Sequence, residues 1–101
     1  MDSLEKQFDE EMRQVYGNIR AATKYPANYF LRDINTIGGL ATAKKYLAKE
    51  GISTGFQKLM DAGRTDVSME AVVLKPIYAG LFTDAEIEIA RKRMFEDNKT
   101  Q

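Results

Sequence analysis

The chain contains no cysteine, no histidine and no tryptophan. Without cysteine there is no disulfide and no thiolate nucleophile; without either residue there is no zinc site of the Cys/His kind and no imidazole acid–base pair. Histidine is the usual general acid–base near neutral pH, so an enzyme built from this sequence would need paired carboxylates in a cleft with raised pKa values. No Gly-rich phosphate loop, Asp-rich calcium loop or carboxylate–histidine metal pair is present. The expectation is a protein that is not an enzyme and has no cofactor or metal.

Long apolar runs are also missing. None approaches the roughly 20 residues that span a bilayer, and the N-terminus MDSLEKQFDEEM is acidic where a signal peptide would be basic and then apolar. A cytoplasmic protein with no membrane partner is expected. Neither charge is in excess: Lys plus Arg and Asp plus Glu are 15 each, which gives no global attraction to nucleic acid or anionic lipid. With 101 residues, 44% of them apolar and 30% charged, the sequence predicts one globular domain over 1–101, with 97–101 as a frayed tail.

What is present is helical punctuation. Leu4, Phe8, Met12, Val15, Ile19 and Ala22 recur at helical period behind the candidate caps Asp2 and Ser3, predicting a long first helix from Ser3 to Lys24. Pro26 ends it and is placed to begin a second helix, which Gly38 and Gly39 stop. A third helix follows from Leu40 and is closed by Gly51, with Leu40, Ala43 and Leu47 inward and Lys44, Lys45 and Lys49 toward water. Ser53 or Thr54 caps a fourth that buries Phe56, Leu59 and Met60 and ends at Gly63.

Ser68 or Asp66 caps a fifth helix carrying Val72, Val73 and Leu74. The valines favour a strand by propensity, but no second strand exists to pair with one. Pro76 breaks this helix, and IYAGLF makes a turn. The last helix has a T-x-x-E capping box at Thr83 and Glu86, a hydrophobic staple from Phe82 to Ile87, and a Glu88 to Lys92 pair at i,i+4. Ile87, Ala90 and Met94 form its inward face, with Ile89 and Phe95 beside it. Most of the five tyrosines read as core or boundary residues with a hydroxyl at the edge. The fold class is therefore all-α: a compact single-domain bundle of five to six helices with a long N-terminal helix.

Three features are candidates for function. The helix pair 40–62 has the form of a helix-turn-helix, and between Leu40 and Arg64 five basic residues stand against two acidic ones. On that reading Gln57 and Lys58 would meet base edges, although one lysine on a short helix is little for a DNA reader, so nucleic acid is an unlikely partner. The junction of Arg64, Asp66 and Glu70, with nearby Phe56 and Gln57, is the candidate partner-binding site, since arginine can grip a carboxylate or phosphate with two hydrogen bonds. The residues favour a structural reading of the same charges, in which Arg64 pairs with Asp66 or Glu70 and ties the turn to the helix start. The apolar stripe of the first helix is either a cover for the core or a homodimer surface. The leading expectation is protein–protein contact; a DNA-binding or regulatory accessory role is the alternative.

The arrangement Tyr25, Pro26, Phe30, Leu31; Gly38, Gly39; Gly55, Phe56, Leu59; Gly63, Arg64, Asp66, Glu70; Leu81, Phe82, Glu86, Ala90, Arg91 and Arg93 resembles a family of small bacterial proteins. Its central signature reads GF/GYxxLWxxGRLDLTVEALVL, followed by LF and an acidic residue leading into ARxRL. This chain differs at Met60, where a Trp often stands, at Thr65 for Leu, and at Ser68 and Met69 for Thr-Val. The members are hypothetical proteins of about this length, so the resemblance implies a stand-alone bacterial domain and supplies no activity.

Overall fold

The computed structural model describes residues 3–96 and is all-α, with no strand among the described residues. Helix α1 covers Leu4–Thr23, α2 Asn28–Ile37, α3 Gly39–Ala48, α4 Thr54–Asp61, α5 Met69–Val73 and α6 Asp84–Arg91. Thr65–Val67 and Pro76–Leu81 are 3₁₀ turns, and Lys92–Glu96 is a π-type turn that continues α6. The expected caps at Asp2 and the tail 97–101 lie outside the described residues.

Helix α1 organises the bundle. Its N-cap is Ser3, whose hydroxyl accepts from the Lys6 N–H at 3.0 Å, and Phe8, Met12, Val15 and Ile19 are buried. That stripe faces the chain's own core, against α2, α3, α4 and α5. Phe8 meets Tyr78 and Phe82 edge-on, at ring-centroid distances of 5.0 and 5.4 Å, which brings the Pro76–Leu81 turn onto α1. Tyr78 donates a short hydrogen bond to Glu11, and Lys75 reaches the same carboxylate at 2.5 Å.

Several boundaries move from their expected places. Helix α2 begins at Asn28, because the Asn28 N–H turns back to the Pro26 carbonyl at 2.7 Å and leaves the proline outside the helix. Helix α3 stops at Ala48 rather than Gly51: Lys49 is already extended, and the carbonyls of Tyr46 and Lys49 are taken by Arg93. Ser68, not Asp66, caps α5, accepting from Ala71 N–H at 3.1 Å. Phe95 is exposed instead of flanking the core, and Glu88 accepts from Arg91 at 2.6 Å rather than pairing with Lys92. Both spacings are within reach on a helix, but Arg91 is the last residue of α6 and Lys92 already belongs to the π-type turn.

Two expected ends hold in detail. Gly63 sits at φ +71° after α4, with Gly63 N–H donating to Met60 O and Arg64 N–H to Leu59 O, the paired bonds of a Schellman stop. Thr83 and Glu86 form the complete capping box of α6, at 3.1 and 2.9 Å.

Candidate binding cleft

The short helix α5 places Glu70 at its first turn, pointing inward. Glu70 is 2% exposed and Arg93, from the π-type turn, is 5% exposed; Arg93 Nη1 donates to Glu70 Oε2 at 3.1 Å. The other arm of the guanidinium, Nη2, donates to the Tyr46 carbonyl at 3.1 Å and the Lys49 carbonyl at 2.9 Å. Burial holds the Glu70 carboxyl above its ordinary range, although its own backbone N–H and Arg93 both pull the other way. Three elements meet on one guanidinium: α5, the end of α3 and the C-terminal turn.

Next to this pair opens a cleft of about 370 Å³, with Glu70 in its wall. Val15 and Ile19 of α1, Phe30 of α2, Phe56 and Leu59 of α4 and Met69 of α5 give it an apolar interior. Gly55 packs α4 closely on α1 at this wall: a Cβ there would stand 3.3 Å from Ile19 Cδ1, the end of a side chain that would have to give by a few tenths of an ångström. The loop 49–53 closes one side and ends at Ser53, whose hydroxyl caps α4 by accepting from Phe56 N–H at 3.1 Å.

Tyrosines supply the polar edge. Tyr46 meets Phe30 edge-on at 5.5 Å and carries the Lys49 ammonium 4.6 Å from its ring centroid. Burial pushes the Tyr46 hydroxyl up from its usual pKa, and the neighbouring Asp33 and Tyr25 add to that. Tyr25 also lines the cleft. Tyr29 is 71% exposed beside the cleft, with the Arg32 guanidinium 4.8 Å from its ring centroid.

Of the five candidate partner-binding residues, the cleft brings together two, Phe56 and Glu70. Arg64 pairs with Asp66 at 3.0 Å in an exposed turn, lowering the Asp66 pKa, and neither lines the cleft. The Arg64–Asp66 tie expected at the junction is formed, while Glu70 does not join it and turns inward to Arg93. Gln57 is exposed and donates to Asp61 at 2.9 Å. In the helix pair 40–62, Lys44 pairs with Glu86 at 2.7 Å, Lys45 with Asp33 at 3.1 Å, and Lys49 lies over Tyr46. Arg93 was absent from the candidates, although its position beside Ala90 and Met94 on the inward face of α6 marks it as a basic residue in an apolar stripe.

Chemically, the cleft can hold an apolar or aromatic group with hydroxyls at its edge. Its two carboxylates differ: Glu50 is exposed at the loop, whereas Glu70 is committed to Arg93. Among the described residues no group of three acidic residues is placed to hold a metal ion, and no helix is long and apolar enough to cross a membrane. Compared with protein-family models, curated proteins and solved structures, the chain matches none of them. The reading of its function therefore rests on the cleft.

Proposed function

We propose that this protein is a non-enzymatic binding module of the bacterial cytoplasm that acts by contact with another protein, seating an uncharged aromatic or aliphatic side chain of that partner in the cleft. The observation that carries this reading is Tyr29, whose ring is 71% exposed at the edge of an aromatic-lined cleft and stacked by Arg32. Tyrosine and arginine beside a desolvated apolar pocket are the residue types that dominate binding energy at protein interfaces. A charged anchor is disfavoured because Lys49 and Glu50, of opposite sign, both border the cleft.

The alternative use of the helix pair 40–62 on DNA draws less support, since Lys44 and Lys45 are already neutralised by acids of the same chain. A homodimer through the N-terminal helix draws less support, since Phe8, Met12, Val15 and Ile19 of its stripe pack into the chain's own core. The test is site-specific cross-linking in the cells that make the protein. A photoreactive phenylalanine at position 29 should give a discrete covalent adduct with one protein, and the same residue at exposed position 85, outside the cleft, should not. No adduct at position 29, or equal adducts at both positions, would overturn the proposal.

A further inference from the structure

We infer that Arg93 is a positioning residue for the cleft: the π-type turn Lys92–Glu96 delivers a guanidinium that sets the end of α3 against α5, so the C-terminal turn governs the shape of a binding site it does not line. This rests on the reading of the cleft as a binding site. Arg93 is not among the cleft's wall residues, but all three of its partners, Glu70, Tyr46 and Lys49, are.

An arginine here does something an apolar side chain of similar volume would not. A buried ion pair is poor evidence for added stability, because both charges lose their hydration. Its distinctive property is geometric: the planar guanidinium donates in fixed directions, whereas apolar contacts permit sliding. Arg93 directs one arm to α5 and the other to two carbonyls at the end of α3: that of Tyr46, which also accepts from the Lys49 N–H at 3.3 Å, and that of the C-cap Lys49, beyond the last helical residue. Its charge also complements the negative end of that helix. The loop 49–53 starts from this anchored end, so the placement of Lys49 fixes where the cleft's side wall begins. One further contact lies near the same place: Ser68 Oγ, which borders the cleft, donates to Met94 Sδ at 3.5 Å. A π-type turn is a rare departure from α geometry that recurs at functional sites. Because coupling is reciprocal, a partner that presses on Tyr46 or Glu70 would shift Arg93, and anything that holds the C-terminal turn would tighten the cleft.

The test is amide hydrogen exchange by NMR on the full chain carrying Arg93→Lys, which keeps the charge but loses the two-armed geometry. Exchange at the Lys49 N–H, which donates to the Tyr46 carbonyl, and at the Phe56 N–H, which donates to Ser53 Oγ, should rise at least tenfold, with the Tyr46 ring resonances shifted, while Phe8 and Met12 amides stay within twofold of the unsubstituted protein. Unchanged exchange at these two amides, or an equal rise throughout the molecule, would overturn the inference, the second outcome marking a purely structural role. If Arg93→Lys does not fold, Glu70→Gln is read instead: it removes the carboxylate charge that draws Arg93 to α5 while keeping shape, and should raise exchange at the same two amides at least threefold, with no rise counting against the inference. These measurements need no partner, so cross-linking at position 29 of the otherwise unaltered chain tests the binding reading separately.

Discussion

Gly17 and Gly39 both sit in helices and have opposite surroundings. At Gly17 a Cβ would meet nothing within 4 Å; at Gly39 it would stand 2.7 Å from the Cα of Asp9, on the backbone of α1. The Gly39 N–H also donates to Asp9 Oδ1 at 2.6 Å, so a carboxylate from α1 caps the N-terminus of α3. Gly39→Ala must push two helices apart and weaken that cap, at a cost of about 1–3 kcal/mol. Gly17→Ala removes only backbone freedom from the unfolded chain and adds about 0.4–1 kcal/mol of stability. Urea unfolding checks both: the midpoint should fall for the first and rise for the second, and a fall for both would refute the assignment. The same glycine pair 38–39 is readable as a helix stop, but nothing local shows that residue 39 must lack a side chain. Its partner is 30 positions away.

Where a cap or stop is made by neighbours in sequence, an element begins or ends where short-range chemistry says it should. Thr83 is the clearest case, since its side chain accepts from Glu86 N–H while Glu86 Oε1 accepts from Thr83 N–H. Thr83→Ala should cost about 1 kcal/mol, which for a domain of this size lowers the melting temperature by roughly 4–8 °C. Thr83→Ser should restore most of it, and an unchanged melting temperature in the alanine variant would show that α6 is held by packing alone. Gly63 was legible for the same reason, and Ser53 and Ser68 were each one of two candidate caps, Thr54 and Asp66 being the others: a cap or stop involves residues three to five apart, which narrows the choice to close neighbours. What could not be read was which partner a charge would choose across the fold. Glu70 looked like a member of the Arg64 junction because Arg64 is six residues away; it belongs to Arg93, 23 residues on. Glu86 was recognised as half of a capping box, yet its Oε1 also accepts from Lys44 at 2.7 Å. The cleft shares this limit, being formed by the ends of helices whose relative placement depends on such contacts.

At the scale of the whole molecule, one cluster closes the chain on itself and should control its response to pH. Glu11 on α1 receives Lys75 and Tyr78, residues 64 and 67 positions away, with Tyr78 fully buried. Burial alone would raise the Glu11 carboxyl, but hydrogen bonds from Lys75 and Tyr78 and the lysine charge outweigh it and hold the pKa below the ordinary 4.5. Glu86 is held below 4.5 in the same way, its burial outweighed by Lys44 and the Thr83 backbone. A depressed carboxylate contributes stability above its unfolded value, so that contribution should disappear as pH falls below 4.5 through the folded values. Tyr78 works in the opposite direction: burial first, then the Glu11 hydrogen bond and charge, push its hydroxyl from 10 up to about 12. Its contribution is complete below pH 10 and is lost as pH rises through about 12. Urea midpoints across the pH range should therefore fall at both extremes. Glu11→Gln should flatten the acid limb and Tyr78→Phe the alkaline one, each with a lower midpoint at pH 7. Tyrosinate absorbance gives an independent check, because one of the five tyrosines should resist ionisation up to about pH 12 and Tyr78→Phe should remove that late component. A Tyr78→Phe protein that kept both the alkaline limb and the late-titrating tyrosine would place the effect elsewhere and break the link between this cluster and the stability of the fold.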